Sequence, residues 1–105
     1  MKDTLLECFK LYRDKDFMFY GTDEDNGKRI VGKYNRGKIN PKEPDLRLYY
    51  VGDDKEFLSL WCKVSQTGRK YLIGNNNGLC YVGLINLNRL DDREHYITIC
   101  IKLNA

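Results

Sequence analysis

The side chains best suited to chemistry in this chain are cations and aromatic rings. Lys28, Arg29, Lys33, Arg36, Lys38 and Lys42 fall within fifteen residues that contain no acid. The segment before them is net acidic and the segment after them is balanced, so the +3 total is concentrated in this one window. Proteins that follow a single strand of nucleic acid pair a positive groove with rings on which bases stack. The spacing nominates Arg29, Lys33, Arg36, Lys38 and Lys42 for phosphates, and Tyr34, Tyr49 or Trp61 for bases. Arg47 and Tyr49 alternate with apolar residues along one stretch, as Trp61 and Lys63 do along the next. If both stretches are strands, the four can share one surface. A charge of this size implies modest, salt-sensitive binding.

Other chemistry has less to work with. General acid–base or nucleophilic catalysis needs paired or activated groups, and His95 is the only histidine. It reads as a solvated residue at a strand entry. Cys8, Cys62, Cys80 and Cys100 contain no C-x-x-C pair, and the last three lie within apolar runs. They read as reduced fillers of a core rather than zinc ligands. Asp53-Asp54 and Asp91-Asp92 are sequence neighbours in turns. Asp23 and Asp25 have a calcium-like spacing without the rest of the loop that an EF-hand requires. The glycine-rich stretch 74–78 lacks the Lys-Ser/Thr and the helix of a phosphate-binding loop, which makes it a hairpin turn. The expectation is a non-enzymatic binder with no cofactor and no metal.

The elements that must position the cations and rings are mainly strands. Residues 57–86 carry three apolar runs separated by turn-forming residues, a three-stranded meander with Trp61 in its first strand. Residues 16–51 read as a basic hairpin and loop. Its first strand, around 17–20, leads through an acidic turn ending in Asn26-Gly27 to a return strand at 28–34. Residues 35–45 follow as an extended, mobile connector biased by Pro41 and Pro44, and 46–51 as a further strand. Residues 95–103 alternate cleanly, with Ile97, Ile99, Ile101 and Leu103 inward. The exception is 3–13, where Leu5, Phe9 and Tyr12 follow helical spacing. Thr4 and Glu7 there fit a capping box, and Asp3 adds favourable charge at the helix start. The fold class expected is α+β, mainly β. It is a single domain over 1–105, an antiparallel meander curled into a small barrel or sandwich with one short N-terminal helix packed on it.

A chain of 105 residues supports one core. Its 42% hydrophobic and 31% charged residues argue against disorder. No apolar run reaches the length of a membrane span. The N-terminal residues have acids where a signal peptide would be apolar. With unpaired cysteines, this points to the cytoplasm.

Trp61, Lys63, Ser65, Gly68, Arg69, Tyr71, Leu72 and Asn86, with Pro44-Asp45-Leu46 ahead of them, resemble a family of small proteins carried by plasmids and phages. Its members share a tryptophan strand, a Ser/Thr-x-x-Gly-Lys/Arg-x-Tyr-Leu turn and strand, and a strand closing on Asn. The likeness covers about residues 44–86; Val64 departs from it, as does everything before Pro44. It implies a β-rich fold and a mobile-element origin, and brings no catalytic residues. Two functions follow. One is binding of single-stranded DNA or RNA through the basic loop and aromatic strand face. The other is docking on a host nucleic-acid-processing protein, as an anti-CRISPR or other anti-defence inhibitor does, since Tyr and Arg also anchor protein interfaces.

Overall fold

In a computed structural model, which describes residues 4–91 and 93–103, the chain forms eight strands. They are β1 (Thr4–Arg13), β2 (Met18–Thr22), β3 (Arg29–Tyr34), β4 (Leu46–Tyr50), β5 (Leu58–Val64), β6 (Lys70–Asn76), β7 (Leu79–Ile85) and β8 (Ile97–Leu103). Each pairs antiparallel with the next, and β8 pairs back onto β1 to close a barrel. Side chains alternate across each strand. One set converges on a core of Phe9, Leu11, Phe19, Ile30, Leu46, Leu48, Leu58, Leu60, Leu72, Ile97 and Ile99. Eight strands enclose just enough space for side chains to fill, and seven residues, Leu11 and Ile99 among them, are completely buried there.

The expected helix over 3–13 is not formed. From Thr4 onward the segment is β1, paired with β8 from Thr4↔Leu103 to Leu11↔Ile97; Asp3 lies outside the described residues. A register shift between Glu7 and Phe9 marks a β-bulge at Cys8. The extra residue breaks the two-residue alternation. Glu7 pairs with Cys100 and Phe9 with Ile99, so Phe9 lies on the opposite face from Leu5 and Glu7, and the helix-like spacing of Leu5, Phe9 and Tyr12 corresponds to no shared face. Past the bulge, Phe9 and Leu11 are buried, and Lys10 and Tyr12 are exposed. An isolated helix of this length is marginal, and pairing along a barrel seam outweighs its propensity.

Close approach explains two glycines. A Cβ at Gly74 would lie 2.0 Å from the Ser59 carbonyl oxygen, and one at Gly32 would lie 2.8 Å from Leu48 Cδ2. The turn after β6 is shorter than the stretch 74–78 suggests. Asn76 pairs with Leu79, leaving Asn77 and Gly78 as the loop, with φ of 53° and 79°. Two positive φ values in succession fit the type I′ hairpin that Asn-Gly favours.

The two ends of the barrel differ. At one end Tyr50 stacks on Phe57 with ring centres 4.1 Å apart, and Phe57 meets Phe9 edge-on. The Tyr50 hydroxyl donates to Asp23 Oδ2 at 2.7 Å, while Asp23 Oδ1 accepts from the Asp25 amide. The acidic turn thus spends its first carboxylate holding that end shut. The opposite end, where the loops after β1, β3, β5 and β7 meet, is open as a mouth of about 260 Å³.

Candidate nucleic-acid interface

The outward faces of β1–β4 carry two adjacent cross-strand rows. Strand register places Tyr12 beside Tyr20, Tyr20 beside Val31, and Val31 beside Tyr49. The neighbouring row runs Met18, Lys33, Arg47, Ser59. Residues paired in this way have Cβ atoms about 5 Å apart. Three tyrosines and one valine therefore form a strip flanked by two cations. Tyr12 and Tyr20 are exposed, and Lys33 Nζ lies 5.2 Å from the centre of the Tyr49 ring. Neither Lys33 nor Arg47 pairs with a carboxylate among the described residues. The strip has an acidic margin, because the Tyr20 phenol lies against Asp14. Desolvation first, and then the Asp14 charge, raise its pKa above the ordinary value.

Apart from Lys38, the sequence-derived candidates separate into three places. Arg47 and Tyr49 on β4, with Lys33 and Arg29 on β3, share the outward face just described. Trp61 and Lys63 point outward on β5, diagonal to Arg47, whose partner is Ser59. Trp61 is bound to the protein itself, since its indole N–H donates to the Lys42 carbonyl at 3.0 Å. Lys42, Pro41, Trp61 and Lys63 line one shallow open groove. Tyr34 and Arg36 belong instead to the mouth of the barrel.

Lys38 is already engaged. Its Nζ lies 3.3 and 3.4 Å from the two Asp45 carboxylate oxygens in a partly buried pair. The fifteen-residue basic window is therefore not one arm. Arg29 stands at the start of β3 and Arg36 beyond its end, roughly 20 Å apart at strand rise. The 35–45 loop is tied internally. Glu43 accepts the Ile39 and Asn40 amides, and Asp45 Oδ2 accepts the Cys62 amide at 2.8 Å.

Tyr12 and Tyr20 are absent from the sequence-derived list. The signal lay in Phe9-Lys10-Leu11-Tyr12, which alternates with a period of two once the bulge residue Cys8 is set aside. His95 meets the Tyr12 ring edge-on at 6.4 Å, and no acid pairs with it among the described residues. All four cysteines are free, and only Cys100 is buried. Burial pushes the Cys100 thiol above its usual pKa. Among the described residues, no group of three or more His, Cys, Asp or Glu could hold a metal ion. Asp91 is held by Arg93; its neighbour Asp92 lies outside the described residues. No helix among the described residues is long and apolar enough to cross a membrane.

No protein-family model matches the sequence, and neither the curated proteins nor the solved structures contain a match.

Proposed function

We propose that this protein is a non-enzymatic binder of single-stranded nucleic acid. Bases stack along Tyr12, Tyr20 and Tyr49, and phosphates meet Lys33 and Arg47, with Arg29 and Lys63 extending the positive margin. The observation that carries this reading is the adjacency of the two rows, with tyrosines on β1, β2 and β4 in one and Lys33 and Arg47 on β3 and β4 in the next. Stacking is indifferent to sequence because every base has a π-face, so the binding is sequence-tolerant. A mobile-element origin and a cytoplasmic site of action accord with this reading.

The test is fluorescence anisotropy with a labelled single-stranded oligonucleotide across a salt series. Each of Lys33→Ala and Arg47→Ala lowers the slope of log K against log salt by about 0.7. Tyr49→Ala weakens binding by about 1–3 kcal/mol. Lys38→Ala changes neither, because Asp45 already holds that charge. Absence of binding at low salt would refute the proposal.

A second reading draws on the loops at the mouth end. Ile39 in the loop after β3 and Leu90 in the loop after β7 are 93% and 89% exposed, and Leu87 is exposed as well. Aliphatic side chains held this far out suit insertion into a protein partner, such as the host defence enzyme that a mobile-element inhibitor would target. Ile39→Asp with Leu90→Asp would then abolish capture of that partner from nuclease-treated lysate and leave oligonucleotide binding intact.

A further inference from the structure

The mouth of the barrel is separate from the outer strip and chemically different. Arg13 at the end of β1 and Arg36 after β3 both address the ring of Phe17. Their guanidinium carbons lie 5.0 and 4.4 Å from its centre. Arg13 also sits 4.4 Å above the Tyr96 ring. Tyr34 and Lys70 complete a lining in which no residue carries a carboxylate. Neither arginine has a hydrogen-bond acceptor or an ion-pair partner among the described residues. Their forked donors are thus uncommitted, and such forks match the oxygens of a phosphate. Asp45, whose charge reaches Tyr34, is itself paired with Lys38.

Phe17 supplies an independent sign. Its φ is 62°, in the left-handed region that a bulky side chain rarely enters. Such a conformation costs on the order of 1–3 kcal/mol and persists where the surroundings impose it, often at binding sites. Asp14 imposes it here by accepting the Asp16, Met18 and Phe17 amides through its side-chain and main-chain oxygens. The result is a ring fixed at the rim with two guanidinium groups on it.

From this geometry we infer that the mouth binds a nucleoside monophosphate group, its phosphate on Arg13 and Arg36 and its base against Tyr34. The cavity of about 260 Å³ lies just below the ~300 Å³ at which sites for small molecules begin, the scale of one nucleotide. Two sources share this chemistry, a free nucleotide and the phosphorylated end of a strand. The second rests on the function proposed above. Lys33 and Tyr34 are consecutive on β3, facing the outer row and the mouth respectively, so a strand on the outer face can turn over the rim.

The experiment compares one labelled oligothymidylate carrying a 5′-phosphate, a 3′-phosphate or neither, alongside titrations with AMP, adenosine and inorganic phosphate. A terminal phosphate is expected to tighten binding at least fivefold, and AMP to bind at least tenfold better than adenosine or phosphate alone. Arg36→Ala, on an exposed loop, removes the preference and leaves the unphosphorylated strand within twofold. Arg13→Lys does the same, because an ammonium keeps the charge and lacks the fork. Unchanged melting of both variants, followed by Trp61 fluorescence, confirms that they fold. Equal binding of all three oligonucleotides with no AMP binding overturns this inference and leaves the outer strip standing. AMP binding that depends on Arg36, without any oligonucleotide binding, upholds the mouth and refutes the strip. A phosphate preference that survives Arg36→Ala, or inorganic phosphate binding as well as AMP, overturns the nucleotide site.

Discussion

Replacing Asp45 tests how the 35–45 loop is fastened to the barrel. Its carboxylate accepts the Cys62 amide at 2.8 Å and the Lys38 ammonium at 3.3 Å, while its own amide donates to Leu60. A hydrogen bond to a charged group contributes about 1.5–3 kcal/mol. The partly exposed ion pair adds about 0–1 kcal/mol. Asp45→Ala should therefore cost about 2–4 kcal/mol. Asp45→Asn keeps an acceptor for the Cys62 amide and should cost about 1 kcal/mol, and Lys38→Ala less than that. Urea unfolding reads these values directly. With a slope near 2 kcal/mol per molar, the midpoint for Asp45→Ala falls by roughly 1–2 M. Trp61 is the only tryptophan and its indole is bonded to Lys42 of the same loop. Its emission in the Asp45→Ala variant should move to the red before global unfolding. Equal losses for Lys38→Ala and Asp45→Ala would show that the ion pair, not the Cys62 amide, is the fastening. A wild-type midpoint for Asp45→Ala would refute the reasoning altogether.

Gly74→Ala should destabilise by about 3 kcal/mol or more, because the new methyl meets backbone that cannot rotate away. Gly37→Ala, with nothing within 4 Å, should be neutral or stabilise by up to about 1 kcal/mol in the same assay. Phe19→Ala removes a buried ring and should cost about 3–5 kcal/mol. Phe17→Gly should stay within about 1 kcal/mol of wild type, since relief of the left-handed strain offsets the lost ring contacts. Burial first, and then the bond to Asp23, raise the Tyr50 phenol above its ordinary pKa of 10.0. The protonated form is the one favoured by folding, so this contribution is complete below pH 10 and is lost as pH climbs through the folded value. Ultraviolet titration should show Tyr50 ionising later than an unperturbed phenol. Tyr50→Phe should remove part of the alkaline sensitivity of the melting temperature.

Seven of the eight strands were legible because their apolar residues alternate and their gaps contain Gly, Asn or Asp. Asn77-Gly78 even announces its turn type. β1 was hidden by a single residue. With Cys8 bulged, Phe9 and Leu11 fall on the opposite face from Leu5 and Glu7, so no single two-residue period spans the segment, and the partner that reveals the extra residue is β8, some ninety residues away. The candidate surface was legible by parity alone. Arg47, Tyr49, Trp61 and Lys63 do face outward together, and Lys33 joins them. The roles of Lys38 and Tyr34 were not legible. Lys38 is neutralised by a residue seven positions on, inside a loop whose path alternation does not specify. Tyr34 shares parity with the core and reaches the mouth because β3 ends there. Nor could composition show that one end of the barrel would be plugged by Tyr50 and Phe57 and the other left open.

The pairing of β1 with β8 has a kinetic consequence. Every other seam joins neighbours in the chain, linked by connections of two to eleven residues, and can form as a growing ribbon. Thr4↔Leu103 joins the first and last residues described, and the entropy of bringing such distant segments together is large. Ring closure is therefore the late step of folding. Until it happens, two unpaired rims are open to intermolecular pairing, so refolding yield should fall as protein concentration rises.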